Sequence, residues 1–150
     1  MKVTVYVNDR EVVVDVEPGE YLLDTLRKHH YTSVKKGCDT SNCGVCTVLV
    51  DNKPVPSCSY LTARAHNKSV LTVEGIHDFA DRLSGHMGHE GADQCGFCNP
   101  SLALATYALK LENPHPTTEE IAHYLVGHLC RCTGYQSQHI AIQRCLEEEK

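Results

Sequence analysis

Nine cysteines in a chain of 150 residues constrain this protein more than any other feature, because eight of them fall into two compact sets. Cys38, Cys43 and Cys46 follow the spacing C-x4-C-x2-C, and Cys58 comes after eleven further residues. Cys95 and Cys98 form C-x2-C, and after thirty-one intervening residues Cys130 and Cys132 form C-x-C. An odd total fits a disulfide framework poorly, and in a reducing compartment clustered cysteines bind metal or carry out redox chemistry. Cysteines used only for packing would not place three within nine residues of a polar loop.

Composition narrows the remaining classes. Fourteen Lys and Arg against nineteen Asp and Glu leave a formal charge of -5, which argues against a dedicated nucleic-acid binder with its basic stripe. No apolar run approaches the ~20 residues that span a bilayer. Met1-Lys2-Val3-Thr4-Val5 shows neither a signal-peptide core nor a twin-arginine pair, so the expectation is a cytoplasmic chain. Hydrophobic content of 41% with 22% charged residues belongs to a folded globular protein. A chain of this length buries roughly two-thirds of its unfolded surface and needs no covalent staples.

The first half has strand periodicity. Val3, Val5 and Val7 alternate with polar residues, Asn8-Asp9-Arg10 marks a turn, and Val12, Val14 and Val16 repeat the alternation. After Pro18-Gly19, Leu22, Leu23 and Leu26 switch to helical spacing over Tyr21 to Arg27. Thr47 to Val50 and the stretch from Val55 form a second hairpin around Asp51-Asn52-Lys53-Pro54, and Val70 to Val73 is the last strand. From about residue 77 helix signals replace strand signals. A weak helix covers His77 to Met87. Asn99 is placed to cap a helix opening at Pro100 and burying Leu102, Ala105 and Leu109, which stops at Asn113-Pro114-His115-Pro116. Thr117 with Glu120 has the spacing of a capping box for a helix burying Ile121 and Leu125 and ending at Gly127. A final helix from about Ser137 buries Ile142, Cys145 and Leu146. The expected class is α+β, with a boundary near residue 76.

The x4, x2 spacing with a distant fourth cysteine is the plant-type ferredoxin arrangement for a [2Fe–2S] cluster. Three ligands on one loop let backbone N–H groups point at the sulfurs, and Gly37 and Gly44 supply conformational freedom. Structural zinc favours two paired knuckles, and here the first gap has no matching second knuckle. The second set is less decided by spacing. Helices starting at Pro100 and ending near Gly127, joined by one turn, bring both pairs to the same end. Four thiolates then meet at one centre, for which iron–sulfur and zinc both remain open.

Gly37-Cys38, Cys43-Gly44-Val45-Cys46-Thr47, Gln94-Cys95-Gly96-Phe97-Cys98 and Leu129-Cys130-Arg131-Cys132-Thr133-Gly134-Tyr135 together resemble the small iron–sulfur subunit of the xanthine oxidase, or molybdenum hydroxylase, family. The resemblance covers essentially the whole chain. It implies a β-grasp, plant-type ferredoxin-like domain over residues 1–76 and a four-helix bundle over 77–150, each with one [2Fe–2S] cluster. It assigns Cys38, Cys43, Cys46 and Cys58 to the cluster nearer a flavin, and Cys95, Cys98, Cys130 and Cys132 to the one nearer a molybdenum cofactor. Gln94 and the backbone of Cys132 would meet the pterin. The implied partners are a large subunit with the molybdenum–pterin cofactor and a medium subunit with FAD, in a hetero-oligomer. Relatives of this kind oxidise or reduce purines, nicotinate, aldehydes, carbon monoxide or 4-hydroxybenzoyl-CoA. Asp39-Thr40-Ser41-Asn42 lacks the acidic residue and glycine common in relatives. Asn99, Ser101 and His128 stand where Thr, Gly and Asn are common. These departures leave ligation intact and bear on the first cluster's potential.

Other residues have plainer readings. Cys145 has apolar helical neighbours and is expected to be a small buried hydrophobe. His86 and His89 lie one turn apart without a third ligand, as scattered surface histidines do. Arg131 either offsets cluster charge or bonds helix-end carbonyls. Tyr135 is expected to pack over the cluster end. The chain carries no Gly-rich dinucleotide fingerprint, no nucleophile–base pair and no open metal position, so it is expected to have no active site of its own. The competing functions are a free-standing ferredoxin-like carrier, disfavoured by the helical half, and a colourless zinc adaptor.

Overall fold

The computed structural model describes residues 1–148. Valine alternation builds the first hairpin, β1 (Lys2–Val7) and β2 (Arg10–Asp15), which pair antiparallel with Val3 opposite Val14 and Val5 opposite Val12. Its two-residue turn holds Asn8 at φ 49° and Asp9 at φ 63°. Both are left-handed, which matches the twist of the flanking strands and suits Asn and Asp. The helix α1 (Leu22–Lys28) then buries Leu22, Leu23 and Leu26 under the sheet. β3 (Thr47–Val50) and β4 (Lys53–Pro56) form the second hairpin, again with left-handed residues at its tip, Asp51 and Asn52. β5 (Ser69–Leu71) lies between β1, to which it is parallel, and β3, giving the order β2-β1-β5-β3-β4.

Four further helices follow: α2 (His77–His89), α3 (Asn99–Glu112), α4 (Thr118–Tyr124) and α5 (Gln136–Glu147). The class is therefore α+β, a mixed sheet followed by a helical half. Each half has its own buried cluster. Val3, Val5, Val7, Leu22, Leu26, Val48, Val50 and Val70 fill the first, and Leu83, Met87, Leu104, Leu109, Ile121 and Ile142 belong to the second. β3 joins them. All four of its residues are buried, with Val48 and Val50 facing the first core and Leu49 facing the helices. A strand covered on both faces reads as a continuous run and not as an alternation, which is how Thr47-Val48-Leu49-Val50 reads.

Three sequence expectations are corrected at their edges. The last strand stops at Leu71, because the Thr72 N–H donates to Asn8 Oδ1 at 2.9 Å and Thr72 Oγ1 accepts from Asn8 Nδ2 at 2.8 Å; Val73–Ile76 then turns as a 3-10 helix. Asn99 does not cap α3. The helix starts at Asn99 itself, and the Asn99 amide donates to Asp93 Oδ1 at 2.9 Å. α4 ends at Tyr124, with a turn carrying the chain on to Gly127.

The capping box forms as its spacing requires. Glu120 N–H donates to Thr117 Oγ1 at 3.2 Å, and Thr117 N–H donates to Glu120 Oε2 at 2.7 Å. This reciprocal bonding draws the Glu120 carboxyl below its ordinary range, chiefly through the Thr117 N–H. The seven-residue α4 has little other local support, since short helices are marginal alone. Thr117→Ala is expected to cost ~1 kcal/mol, read as a fall of about 2–4 °C in the melting temperature; an unchanged melting temperature would remove the cap from the account.

Candidate metal centres

The first cysteine set sits on the loop between α1 and β3, which is tied at its start by Arg27. The Arg27 guanidinium donates to the carbonyls of Thr32 and Val34, at 3.2 and 2.8 Å. Ser41 at φ 57° and Gly44 at φ 74° then fold the loop back. As a result the backbone N–H groups of Cys43 and Thr40, the Cys43 thiol and the Asn42 N–H converge on Cys38, in that order of effect, and lower its thiol pKa to about 6. Cys43 is pushed up by burial, partly offset by the N–H groups of Val45 and Gly37. Cys46 is buried more deeply, which raises its thiol to about 11. Cys58 is brought to it by the 3-10 turn Ser57–Ser59, whose Ser57 hydroxyl donates to the Cys46 carbonyl at 2.6 Å. Ser41 Oγ lies 3.4 Å from Cys58 Sγ.

The second set assembles from two loops at one end of the helices. Cys95 and Cys132 are exposed and adjacent; Cys98 and Cys130 are half-buried and adjacent. The Phe97 N–H, followed by the Cys132 thiol, holds Cys95 below its ordinary range. Burial, then the nearby Cys130, pushes Cys98 up to about 11. Thr133 Oγ1 donates to Cys130 Sγ at 3.2 Å, and Gln138 Nε2 donates to Cys98 Sγ at 3.7 Å. The Cys130 N–H donates to the Tyr135 hydroxyl at 3.1 Å, with Tyr135 at φ 73° opening α5. The Tyr135 hydroxyl thus anchors the loop backbone, a role its sequence context did not indicate.

The two sets meet. Leu129 N–H donates to the Cys43 carbonyl at 2.9 Å, one residue before Cys130. A Cβ on Gly44 would run into the Gly127 carbonyl. Gly37 approaches the Phe97 ring, over which the Lys35 ammonium sits 4.9 Å from the centroid while also reaching the Phe97 carbonyl at 3.3 Å. Between the sets lies a cavity of about 560 Å³ lined by Cys38, Cys43, Cys95, Cys98, Cys130 and Cys132, with Arg131 and Tyr135 also on its wall. His128, beside Gly44, has a buried Nε2 without a hydrogen-bond partner, and burial lowers its pKa to about 4.

All eight predicted cysteines therefore gather into two groups, and within each group they are arranged two by two. Among the described residues, no three His, Cys, Asp or Glu side chains converge on a single-ion site. Four thiolates around one zinc need mutual proximity, whereas a two-iron cluster takes two thiolates on each iron. The donor set and its pairing fit [2Fe–2S]. Gln94 is exposed beside Cys95. Cys145 is buried in α5. His86 is paired with Glu148 and His89 with Glu90. Thr133, Gln138, Leu129 and Lys35 were not expected from sequence as contributors to the sites. Gln138 had a signal: it is the polar member of the apolar stripe on α5.

Comparison with known proteins agrees with this geometry. Residues 5–72 match the family described as "2Fe-2S iron-sulfur cluster binding domain", and residues 72–143 match "[2Fe-2S] binding domain". The chain is 41% identical over 134 residues to the nicotinate dehydrogenase small FeS subunit of Eubacterium barkeri, spanning 87% of this chain and 85% of that one. It is 44% identical over 129 residues to the xanthine dehydrogenase iron-sulfur-binding subunit of Escherichia coli O157:H7, spanning 79% and 77%. Among solved structures, quinoline 2-oxidoreductase from Pseudomonas putida 86 superposes with a TM-score of 0.89 at 34% identity, covering 99% of this chain and 94% of that one. The tandem order of two different [2Fe–2S]-binding domains defines an iron–sulfur electron-transfer protein. More narrowly, the chain belongs to the small iron–sulfur subunits of the xanthine oxidase, or molybdenum hydroxylase, family, the non-catalytic electron-transfer component of an oxidoreductase carrying two [2Fe–2S] clusters.

The joint between the sites gives a direct test. Gly44→Ala adds a methyl group against the Gly127 backbone at a positive φ, whereas Gly19→Ala meets positive-φ strain alone, with open space around it. Gly44→Ala is expected to lower the urea midpoint well beyond Gly19→Ala, whose cost is of the order of 1–2 kcal/mol; equal midpoints would mean that the joint carries no packing.

Proposed function

We propose that Cys38, Cys43, Cys46 and Cys58 bind one [2Fe–2S] cluster, and that Cys95, Cys98, Cys130 and Cys132 bind the other. The carrying observation is the two-by-two grouping of the eight thiols within two successive [2Fe–2S]-domain matches. In the first centre Cys38 and Cys43 would hold one iron and Cys46 and Cys58 the other; in the second, Cys95 with Cys132 and Cys98 with Cys130 would do so. Each cluster, when bound, supplies one-electron carriage. The chain's own residues hold the thiolates, aim backbone N–H groups at them and set the two centres on either side of one cavity.

The ligand sets divide the chain into a β-grasp domain over 1–76 and a four-helix bundle, α2 to α5, over 77–150. The two separate buried clusters support that division, with Leu49 and Ile76 the residues of the first span that pack into the helical one, flanked by Leu71 and Val73. We assign the partners as a large subunit with a molybdenum–pterin cofactor and a medium subunit with FAD. Gln94 and Cys132 would face the pterin, and Cys58 with its loop the flavin side. Supporting this, Cys95, Cys132 and Gln94 are exposed, and Phe97, Val126 and Leu129 expose apolar area close by, at 45, 78 and 52%. Apolar surface rimmed by polar residues is what a partner covers. The relatives' names, nicotinate dehydrogenase, nicotine 6-hydroxylase and xanthine dehydrogenase, point to a purine or N-heteroaromatic substrate held on the large subunit. A cytoplasmic setting accords with eight cysteines grouped as metal ligands and not as disulfides. Among the described residues no helix is long and apolar enough to cross a membrane.

The test is metal analysis with paramagnetic resonance. With two irons per cluster the chain should hold four irons and show two distinct reduced signals. Cys43→Ser should remove one signal and Cys98→Ser the other. Stoichiometric zinc, or loss of both signals in each variant with the fold retained, would overturn the ligand assignment. Gentle purification from the host should recover molybdenum- and flavin-containing companions, and recovery as a lone chain would favour the free carrier.

A further inference from the structure

The buried stripe of α5 runs Gln138, Ala141, Ile142, Cys145, Leu146, and its first member is a primary amide. Gln138 is 3% exposed. Burying such a group is unfavourable unless it is hydrogen-bonded. The partner is a sulfur: Nε2 donates to Cys98 Sγ at 3.7 Å. On the neighbouring thiol of the same pair, the Thr133 hydroxyl donates to Cys130 Sγ at 3.2 Å. Both side-chain donors therefore serve the half-buried pair, whereas Cys95, in the exposed pair, is approached by the backbone N–H of Phe97.

We infer that Gln138 is a positioning residue for the second cluster: its amide raises the reduction potential and holds the added electron on the iron bound by Cys98 and Cys130. The inference rests on the ligand assignment proposed above. Reduction adds one electron, taken from the partner subunit in the complex or from dithionite in a titration, and converts one ferric iron to ferrous. No bond to sulfur breaks and no proton is taken up, so the cluster with its thiolates becomes one charge more negative. A fixed N–H dipole aimed at a ligand sulfur favours the more negative state, and does so more strongly where water is excluded. The first turn of α5 holds Gln138 in place, with the Tyr135 hydroxyl tying that turn to Cys130. The donor thus costs little reorganisation when the charge arrives.

The experiment is a dithionite titration of the full cluster-loaded chain, in its native complex where one is recovered, followed by paramagnetic resonance. Gln138→Met keeps the length of the side chain and removes the donor. It is expected to lower the equilibrium constant for reducing the second cluster about tenfold, about 59 mV for a one-electron couple. The first cluster's midpoint and the iron content should stay as in the parent. Gln138→Leu, which removes the whole amide, should shift the second midpoint in the same direction. Unmoved second midpoints in both variants, with full iron, would overturn the inference. Should either variant lose iron, the chain with Gln94→Met and Gln136→Met and side-chain 15N-glutamine decides: pulsed resonance of the reduced second cluster should show a coupled 15N, and none would overturn it. Failure of the ligand assignment looks different, because the unmodified chain would then lack a second reduced signal altogether.

Discussion

The bond from the Leu129 N–H to the Cys43 carbonyl holds the two halves of this protein in working relation. Each half has its own core, and each could in principle order its own thiols. What makes one device of them is that the residue before one proposed ligand, Cys130, bonds the backbone of another, Cys43. The contact requires close backbone approach, and Gly44 against Gly127 permits it. Leu49 and Lys35 reinforce the joint from either side, one packing into the helical core and the other stacking on Phe97. Three kinds of interaction, backbone, apolar and cation–π, thus converge on one seam. A sulfur-to-sulfur path made of covalent bonds and a single hydrogen bond crosses it.

Burial sorts the thiols within each site. Cys46 is buried and Cys98 half-buried, and desolvation pushes both up to about 11, whereas Cys38 rests among N–H groups and falls to about 6. Desolvated thiols resist ionising alone, so iron bound there would have to offset their desolvation. Metal binding and ordering of these loops would then be coupled. The exposed pair, Cys95 and Cys132, leaves one edge of the second site at the surface, the edge that the proposed partner would cover.

Much of this was legible in the chain. Cysteine spacing announced both sites, valine alternation announced β1 and β2, and Thr117 with Glu120 announced the start of α4. What was not legible depended on partners far along the sequence. Asn99 looks like a cap in its local context, but α3 already starts at Asn99, and Cys98 of the second cysteine set takes the cap position. Val73 continues a strand pattern that the Asn8 side chain ends at Thr72. The seam could not be read at all, because a backbone bond between Leu129 and Cys43 leaves no side-chain signature. Gln138 was partly legible, as a polar residue out of place on an apolar stripe, but its sulfur partner is forty residues away.

The claim that the two sites adjoin across one hydrogen bond is tested most directly by the magnetic interaction between them. Paramagnetic resonance of the chain should be recorded with one cluster reduced and then with both. Adjacent sites predict that the fully reduced spectrum is split or broadened beyond the sum of the separate signals, with faster relaxation of each. A fully reduced spectrum equal to that sum at all temperatures would place the clusters apart and contradict the seam.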